Sequence, residues 1–191
     1  VDLSLRFRHP ETNLERLQKQ VLEGIDQWCY EYGEKIRALG GIGFFLGGIG
    51  PDGHIAFNVR GSDHHSTTRL TPINYETQAA SASDLGGIEV AKKRHAVTIG
   101  LETVTANPHC TAVIMAAGEA KARVVRDAVC SSSHIMYPAS VLHRLKNSRF
   151  YLTGAAASQL PERCYRKYVE AESFSDRQKT RLITDLSLYT G

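Results

Sequence analysis

Residues 42–58 read IGFFLGGIGPDGHIAFN, a short apolar run that passes directly into a glycine-rich loop. The apolar part, Ile42 to Leu46, is bounded by glycines and fits a buried strand of a parallel sheet. Gly47, Gly48 and Gly50 follow without a spacer, and their backbone can turn sharply and approach a ligand closely. Because ligands in open α/β sheets bind at the carboxyl ends of strands, this loop is the first candidate for a functional site.

The segments around this loop alternate between helical and extended patterns. Apolar residues at three- and four-residue spacing predict a long helix from Leu14 to Leu39, with Trp28 in the core, and two glycines end it. The other predicted strands are Ala96–Ile99, Thr111–Ala116 and Phe150–Thr153, and the other predicted helices are Pro72–Ala82, Glu119–Val129, Pro138–Leu145 and the charged tail Glu162–Tyr189. This alternation predicts an α/β fold with a mainly parallel sheet, in a single domain over residues 1–191.

The composition excludes several classes of protein. Apolar residues make up 42% and charged residues 23% of the chain, which is typical of a folded protein rather than a disordered one. The net charge of +3 is too small and too dispersed for a nucleic-acid-binding surface. No apolar run approaches the roughly 20 residues that span a membrane, and we expect no signal peptide. The four cysteines are widely spaced, and we interpret them as reduced thiols of a cytoplasmic protein.

Two side chains give the loop its chemical character. Asp52 lies two residues before His54, and a carboxylate so placed can fix the tautomer of an imidazole and raise its basicity. Histidine then suits proton transfer near neutral pH, while the N–H groups of the glycines suit a phosphate or an oxyanion. A capping aspartate beside a surface histidine is the structural alternative. His64 and His65 follow nearby, but no spacing of the HExxH or CxxC kind occurs, so no metal site is predicted.

The loop Gly47–Asn58 resembles the signature of the glucosamine-6-phosphate deaminase (isomerase) family. That signature is an apolar strand followed by Gly-Gly-x-Gly-x-Asp-Gly-His-Ile-Ala-Phe-Asn, and the chain matches it throughout. The resemblance continues to Arg69 and covers the chain from Leu22 to Leu160. Its weaker outer matches, in the family's order, are Tyr32–Ile36, Thr98–Gly100, Gly118–Ala122 and Pro138–Leu142.

The resemblance implies a Rossmann-like three-layer α/β sandwich that converts glucosamine 6-phosphate to fructose 6-phosphate and ammonia. The sugar ring opens, a proton moves between C2 and C1, and the amine leaves. His54 matches the histidine that assists ring opening, and Asp52 matches the aspartate that orients and charges it. No redox cofactor and no metal ion are implied, and the implied partner is a small-molecule sugar phosphate.

The same resemblance implies the residues that bind the substrate. A backbone N–H near Gly48 contacts the sugar, and Lys121, at the start of the helix after the next strand, matches the lysine that binds the phosphate. A solvated helix lysine is the alternative at that position. The implied substrate-binding set is Gly47, Gly48, Gly50, Ala56, Asn58 and Lys121.

Three features depart from the family pattern. The family has a glutamate directly after the motif asparagine, where this chain has Val59, and an arginine in the stretch that aligns with Ala80–Asp84, where this chain has none. The family's N-terminal half supplies a Ser/Thr-Gly-Gly phosphate loop and the aspartate that moves the C2 proton, and residues 1–40 contain neither. Because the chain starts with Val1, we expect it to be the later part of a longer protein, or to be completed by a second copy or a partner. We therefore expect little or no turnover by the chain alone.

Two other functions stay open at this point. A 6-phosphogluconolactonase, which is a hydrolase, shares the Gly-x-Gly-x-Asp-Gly-His core and also lacks the glutamate, but its motif continues with Thr-Ala-Ser, so Ile55–Asn58 favour the deaminase. A catalytically silent sugar-phosphate-binding domain is favoured by Val59 and by the missing arginine. The sequence does not choose between a monomer and a homo-oligomer.

Overall fold

The computed structural model describes residues 1–83, 86–170 and 173–190. Its strands are β1 (Phe44–Gly48), β2 (Arg69–Pro72), β3 (His95–Thr98), β4 (Thr111–Ala116) and β5 (Asn147–Leu152). Its α-helices are α1 (Asn13–Ala38), α2 (Tyr75–Ala80), α3 (Ile88–Ala91), α4 (Leu101–Thr105), α5 (Ala122–Cys130), α6 (Pro161–Val169) and α7 (Asp176–Thr190). Short 3-10 helices span Leu3–Arg6, Glu119–Lys121 and Pro138–Arg144.

The first long helix begins at a capping box. The Thr12 side chain accepts a hydrogen bond from the N–H of Glu15 at 3.1 Å, and the Glu15 carboxylate accepts one from the N–H of Thr12 at 3.2 Å. These bonds satisfy N–H groups that a helix start otherwise leaves unpaired. The predicted helix is confirmed within one residue at each end.

The prediction that Trp28 lies in the core is wrong. The Trp28 side chain is 53% exposed and stacks on Tyr32, with ring centroids 5.2 Å apart. Helix α1 instead buries Leu22 and Cys29. Apolar residues at helical spacing lie on two faces of this helix, and the spacing does not say which of the two is buried.

The central sheet is parallel and has the order β1-β4-β5. Gly48 of β1 is paired with Met115 of β4, and Met115 with Tyr151 of β5, so the three strands end at the same edge. The strand predicted at Thr111–Ala116 is confirmed residue for residue. The prediction of an α/β fold with a parallel sheet is confirmed.

One face of this sheet is covered and carries the core. Its side chains include Ala112 and Ile114 of β4, which are fully buried, and Phe45 and Phe150 from the flanking strands, which pack against them. Helices α4 and α5 and the 3-10 helix Pro138–Arg144 also contribute to the core. Their fully buried residues include Leu101, Val104, Val125, Ala128, Val141 and Leu142.

The opposite face of the sheet is bare in the part of the chain that the structure describes. Leu46 and Met115 are each 55% exposed and Tyr151 is 62% exposed, and all three alternate with residues of the covered face. Parallel sheets are normally covered on both faces. The described residues therefore build two layers of an α/β sandwich, a sheet and the helices on one side of it.

Residues 69–98 depart most from the predictions. Pro72, predicted to open a helix, ends strand β2, and the helix runs over Tyr75–Ala80 only. Strand β3 lies within one residue of its prediction, but it pairs antiparallel with β2 in a separate two-stranded sheet. The structure thus contains an antiparallel pair of strands in addition to the parallel sheet that the sequence predicts.

The predicted tail is helical in α6 and α7, whereas the described residues 173–175 before α7 are not helical. Ala171 and Glu172, within the predicted tail, and Asp84, within the stretch that aligns with the family arginine, lie outside the described residues. Among the helices that the structure describes, none combines the length and the apolar character needed to cross a membrane.

Candidate active site

The glycine loop after β1 closes into a tight turn. The N–H of Gly50 donates to the carbonyl of His54 at 2.9 Å, and the N–H of Gly53 donates to the carbonyl of Gly50 at 3.1 Å. Gly53 has φ of 86°, a left-handed conformation that favours glycine. Ile49 and Ile55, on the two sides of the turn, belong to the buried core. The loop is therefore fixed to the covered face of the sheet.

The imidazole of His54 lies against the backbone of Gly50. A Cβ atom at Gly50 would lie 2.0 Å from Cε1 of His54 and 2.2 Å from its Nδ1, which is far inside van der Waals contact. The ring also stacks on Phe57, with centroids 6.4 Å apart. A glycine is thus required at position 50 for His54 to occupy its place.

Asp52 and His54 form a buried pair. Oδ1 of Asp52 lies 2.5 Å from Nδ1 of His54, and the Asp52 residue is only 3% exposed. Its other oxygen, Oδ2, accepts hydrogen bonds from the backbone N–H of Arg60 at 3.0 Å and from Nδ2 of Asn74 at 2.7 Å. Since an ionised carboxylate only accepts, the proton between the pair belongs to Nδ1, and Nε2 is left to exchange protons with a ligand.

The surroundings keep Asp52 ionised. Burial alone would raise its pKa, but the hydrogen bonds from His54, from the Arg60 N–H and from Asn74 outweigh burial and hold the pKa of Asp52 well below its usual range. An ionised Asp52 can stabilise an imidazolium at His54. The pair therefore has the arrangement expected of a histidine that takes and returns a proton.

Helix α2 supplies two contacts that the sequence did not predict. Asn74 reaches Asp52, as above, and its Oδ1 accepts a hydrogen bond from the N–H of Thr77 at 3.1 Å. Oγ1 of Thr77 lies 3.3 Å from Nδ1 of His54. An asparagine that opens a short helix is a recognisable capping signal, but nothing local links it to an aspartate 22 residues away.

Asn58, predicted to bind substrate, is fully buried. Both the nitrogen and the oxygen of its side-chain amide form hydrogen bonds with protein groups. Its Nδ2 donates to the carbonyls of Ile55 at 3.1 Å and Ile99 at 2.9 Å, and its Oδ1 accepts from Arg69 at 2.8 Å. These bonds fix the loop, and the predicted role of Asn58 in binding substrate stays a prediction. The sequence motif alone does not separate these roles.

The remaining predicted contact residues of the loop are accessible to different degrees. Gly48 and Ala56 are exposed, and Gly47 and Gly50 are half-buried. Ala56 has φ of 50°, an unusual value for a residue with a side chain, and the neighbouring N–H of Phe57 donates to Oγ1 of Thr98 at 3.0 Å. The loop after His54 is thus held in a specific bent conformation.

Lys121 lies at the carboxyl end of β4, next to the end of β1. The chain passes Gly118, with φ of 86°, into the 3-10 helix Glu119–Lys121. Burial lowers the pKa of Lys121, and the negative charge of Asp52 acts in the opposite direction. Lys121 and Asp52 are thus close enough for their charges to interact.

Val59 directly follows the motif residue Asn58. Val59 is half-buried, and the next residue, Arg60, supplies the backbone N–H that Asp52 binds. Within residues 1–83, 86–170 and 173–190, no group of three or more His, Cys, Asp or Glu side chains is arranged to hold a metal ion. His64 is buried, and its Nδ1 lies 3.3 Å from Oγ of Ser133.

Comparison with known proteins finds relatives of one kind. The glucosamine-6-phosphate deaminase of Caenorhabditis elegans is 38% identical over 134 residues, which are 68% of this chain and 49% of the relative. That of Corynebacterium urealyticum is 38% identical over 146 residues, 76% of this chain and 56% of the relative. That of Borreliella afzelii is 31% identical over 184 residues, 94% of this chain and 65% of the relative. No protein-family model matches the chain.

The fold is also similar to a solved structure. A monomeric glucosamine-6-phosphate deaminase of the NagB superfamily superposes with a TM-score of 0.64 at 28% identity, over 70% of this chain and 54% of that one. The fold is thus that of a NagB-type α/β protein. The chain is similar to glucosamine-6-phosphate deaminases over 68% to 94% of its own length. It spans between 49% and 65% of the length of the three relatives named.

Proposed function

We propose that this chain carries the ring-opening part of a glucosamine-6-phosphate deaminase site. The observation that carries the proposal is the buried Asp52–His54 pair, 2.5 Å apart, in the loop that the family signature defines. The deaminase relatives support this function rather than that of a lactonase hydrolase. The whole reaction is isomerisation of the amino sugar to a ketose with loss of ammonia.

In the proposed reaction, His54 moves the proton that opens the sugar ring. Nε2 of the imidazole takes the proton of the C1 hydroxyl, and the imidazolium so formed returns a proton from Nε2 to the ring oxygen as the ring C1–O bond breaks to leave an aldehyde. Asp52 holds Nδ1 and stabilises the imidazolium when it forms. The N–H groups near Gly48 contact the sugar, and Lys121 attracts the phosphate as a point charge.

Ring opening has its own measurable consequence. A ring that opens and closes again interconverts the α and β anomers, so the chain should accelerate anomer exchange of glucosamine 6-phosphate even without deamination. We expect the exchange rate, measured by NMR magnetisation transfer, to rise with protein concentration. His54→Gln should abolish the increase, and His109→Gln, at an exposed histidine, should retain it. Exchange unaffected by the wild-type chain would contradict the proposal.

Ammonia release separates the complete reaction from the partial one. We expect little or no ammonia from glucosamine 6-phosphate with the chain alone at high protein concentration. Saturable release, matched by fructose 6-phosphate, would support the deaminase assignment and overturn the expectation that further groups are needed. Hydrolysis of 6-phosphogluconolactone without anomer exchange would replace the proposal by the lactonase.

A further inference from the structure

We propose that Asn74 and Thr77 are positioning residues, which hold Asp52 and His54 in the geometry needed for proton transfer. The inference rests on the proposed function for its kinetic consequence, but the geometry that it concerns is measurable without turnover. The relevant contacts are Asn74 Nδ2 to Asp52 Oδ2 at 2.7 Å and Thr77 Oγ1 to His54 Nδ1 at 3.3 Å. One short helix thus contacts both members of the pair.

The Asn74 amide fixes the orientation of the carboxylate. With Oδ2 occupied by Asn74 and by the N–H of Arg60, Oδ1 is left to accept from His54. A carboxylate that is bound on one oxygen cannot rotate without breaking those bonds inside a buried site. Asn74 therefore selects which oxygen faces the imidazole.

Thr77 restricts the imidazole. It is 3% exposed, and its hydroxyl oxygen faces the Nδ1–H that already points at Asp52, so it acts as a second and longer acceptor. Gly50 bounds the ring as well, because a Cβ atom there would overlap it. Rotation that would present Nε2 to Asp52 moves the N–H away from both oxygens. The contacts favour the tautomer with the proton on Nδ1.

Asn74 and Thr77 act together on the Asp52–His54 pair. Asn74, which caps α2, donates a hydrogen bond to Asp52, and Thr77, within α2, lies in hydrogen-bond range of His54. Asn74 is also tied to Thr77 through its capping hydrogen bond. The two residues therefore form a single support for the catalytic pair.

The test is the tautomer and proton exchange of His54 in the full 191-residue chain, measured by ¹⁵N NMR near neutral pH. Asn74→Ser keeps an oxygen that caps α2 but is too short to reach Asp52. Thr77→Val keeps the shape and removes the hydroxyl. Tyr75→Ala, at an exposed position in the first turn of the same helix, is the matched control.

We expect wild type and Tyr75→Ala to show the Nδ1–H tautomer with slow exchange of that proton. In Asn74→Ser, and to a smaller extent in Thr77→Val, exchange should accelerate about tenfold and the Nε2–H tautomer should appear. Wild-type spectra for His54 in both variants would overturn the inference. If Asn74→Ser fails to fold, Thr77→Val decides the question.

Kinetics distinguish this inference from the proposed function. Where anomer exchange is catalysed, Asn74→Ser should lower its maximal rate about tenfold and leave the half-saturating sugar concentration unchanged. A rise in half-saturation with an unchanged maximal rate would overturn the positioning role. If no variant, and not even wild type, catalyses exchange, the proposed function fails, and the NMR result still decides how His54 is held.

Discussion

Helices cover one face of the parallel sheet, and on the other face Leu46 and Met115 are half exposed in the described part of the chain. The candidate site belongs to the covered half. Ile49 and Ile55 anchor its loop in the core, and Asp52 is buried beside them. The Asp52–His54 pair is therefore held by interactions on the covered side of the sheet and does not depend on the bare face.

The largest expected effect separates the two faces of a single strand. Ile114 and Met115 are neighbours on β4, but Ile114 is fully buried and Met115 is half exposed. Ile114→Ala should lower the free energy of unfolding by about 2–5 kcal/mol, because it leaves a cavity in the core. Met115→Ala should change it by less than about 0.5 kcal/mol. Denaturant unfolding checks both, and equal losses would contradict the description of the two faces.

The next comparison is between two glycines of the loop. Gly50→Ala would place a Cβ inside the His54 ring, whereas the nearest atom to a Cβ at Gly48 is the carbonyl oxygen of Met115 at 3.8 Å. We expect Gly50→Ala to cost about 1–3 kcal/mol of stability and to displace His54 from Asp52.

Gly48→Ala is the control and should leave the ¹⁵N signals of His54 unchanged. A wild-type His54 spectrum in Gly50→Ala would show that the ring does not need the space above the glycine.

The buried carboxylate predicts a specific dependence on pH. The pKa of Asp52 is lower in the folded chain than the value of about 3.9 in an unfolded one. Its ionisation therefore stabilises the fold above pH ~4, and this contribution is lost as the pH falls through the folded-state pKa. Asp52→Asn should cost about 1–3 kcal/mol at pH 7, and less as the pH falls below ~4.

Asp176→Asn is the matched control, because the Asp176 side chain is 98% exposed. Its effect should be small at every pH. A destabilisation by Asp52→Asn that stays constant down to pH ~2 would mean that ionisation of Asp52 does not contribute to stability.

The smallest effect concerns the bare face alone. Leu46→Ser should change stability by less than about 0.5 kcal/mol and should weaken binding of an apolar fluorescent dye, because it interrupts an exposed apolar patch. Leu39→Ser, at another exposed leucine away from the sheet, should leave dye binding unchanged. Equal loss of dye binding in both variants would place the dye elsewhere.

Local patterns predicted the elements whose burial is uniform or alternates regularly. Strand β4 was predicted residue for residue and α1 within one residue, because spacing and glycine stops define them. The exposure of Trp28 was not predictable, since it depends on which side of α1 faces the rest of the molecule.

In the site, too, contacts between residues close in sequence are predictable and contacts between distant residues are not. The pairing of Asp52 with His54 follows from their two-residue spacing and the turn at Gly50. The contacts of Asn74 and Thr77 with that pair join residues more than 20 positions apart and depend on tertiary packing. The hydrogen bonds of Asn58 are not predictable from the motif for the same reason, because its partners include the distant residue Ile99.

The most direct measurement is a titration of the ¹⁵N-histidine-labelled chain with glucosamine 6-phosphate, followed at His54, with the exposed His9 and His109 as internal references. We expect a saturable shift of the His54 signals, abolished by Asp52→Asn, and no shift at the two references. Signals of His54 that stay unchanged at saturating sugar phosphate would contradict the assignment of this loop as the sugar-phosphate site.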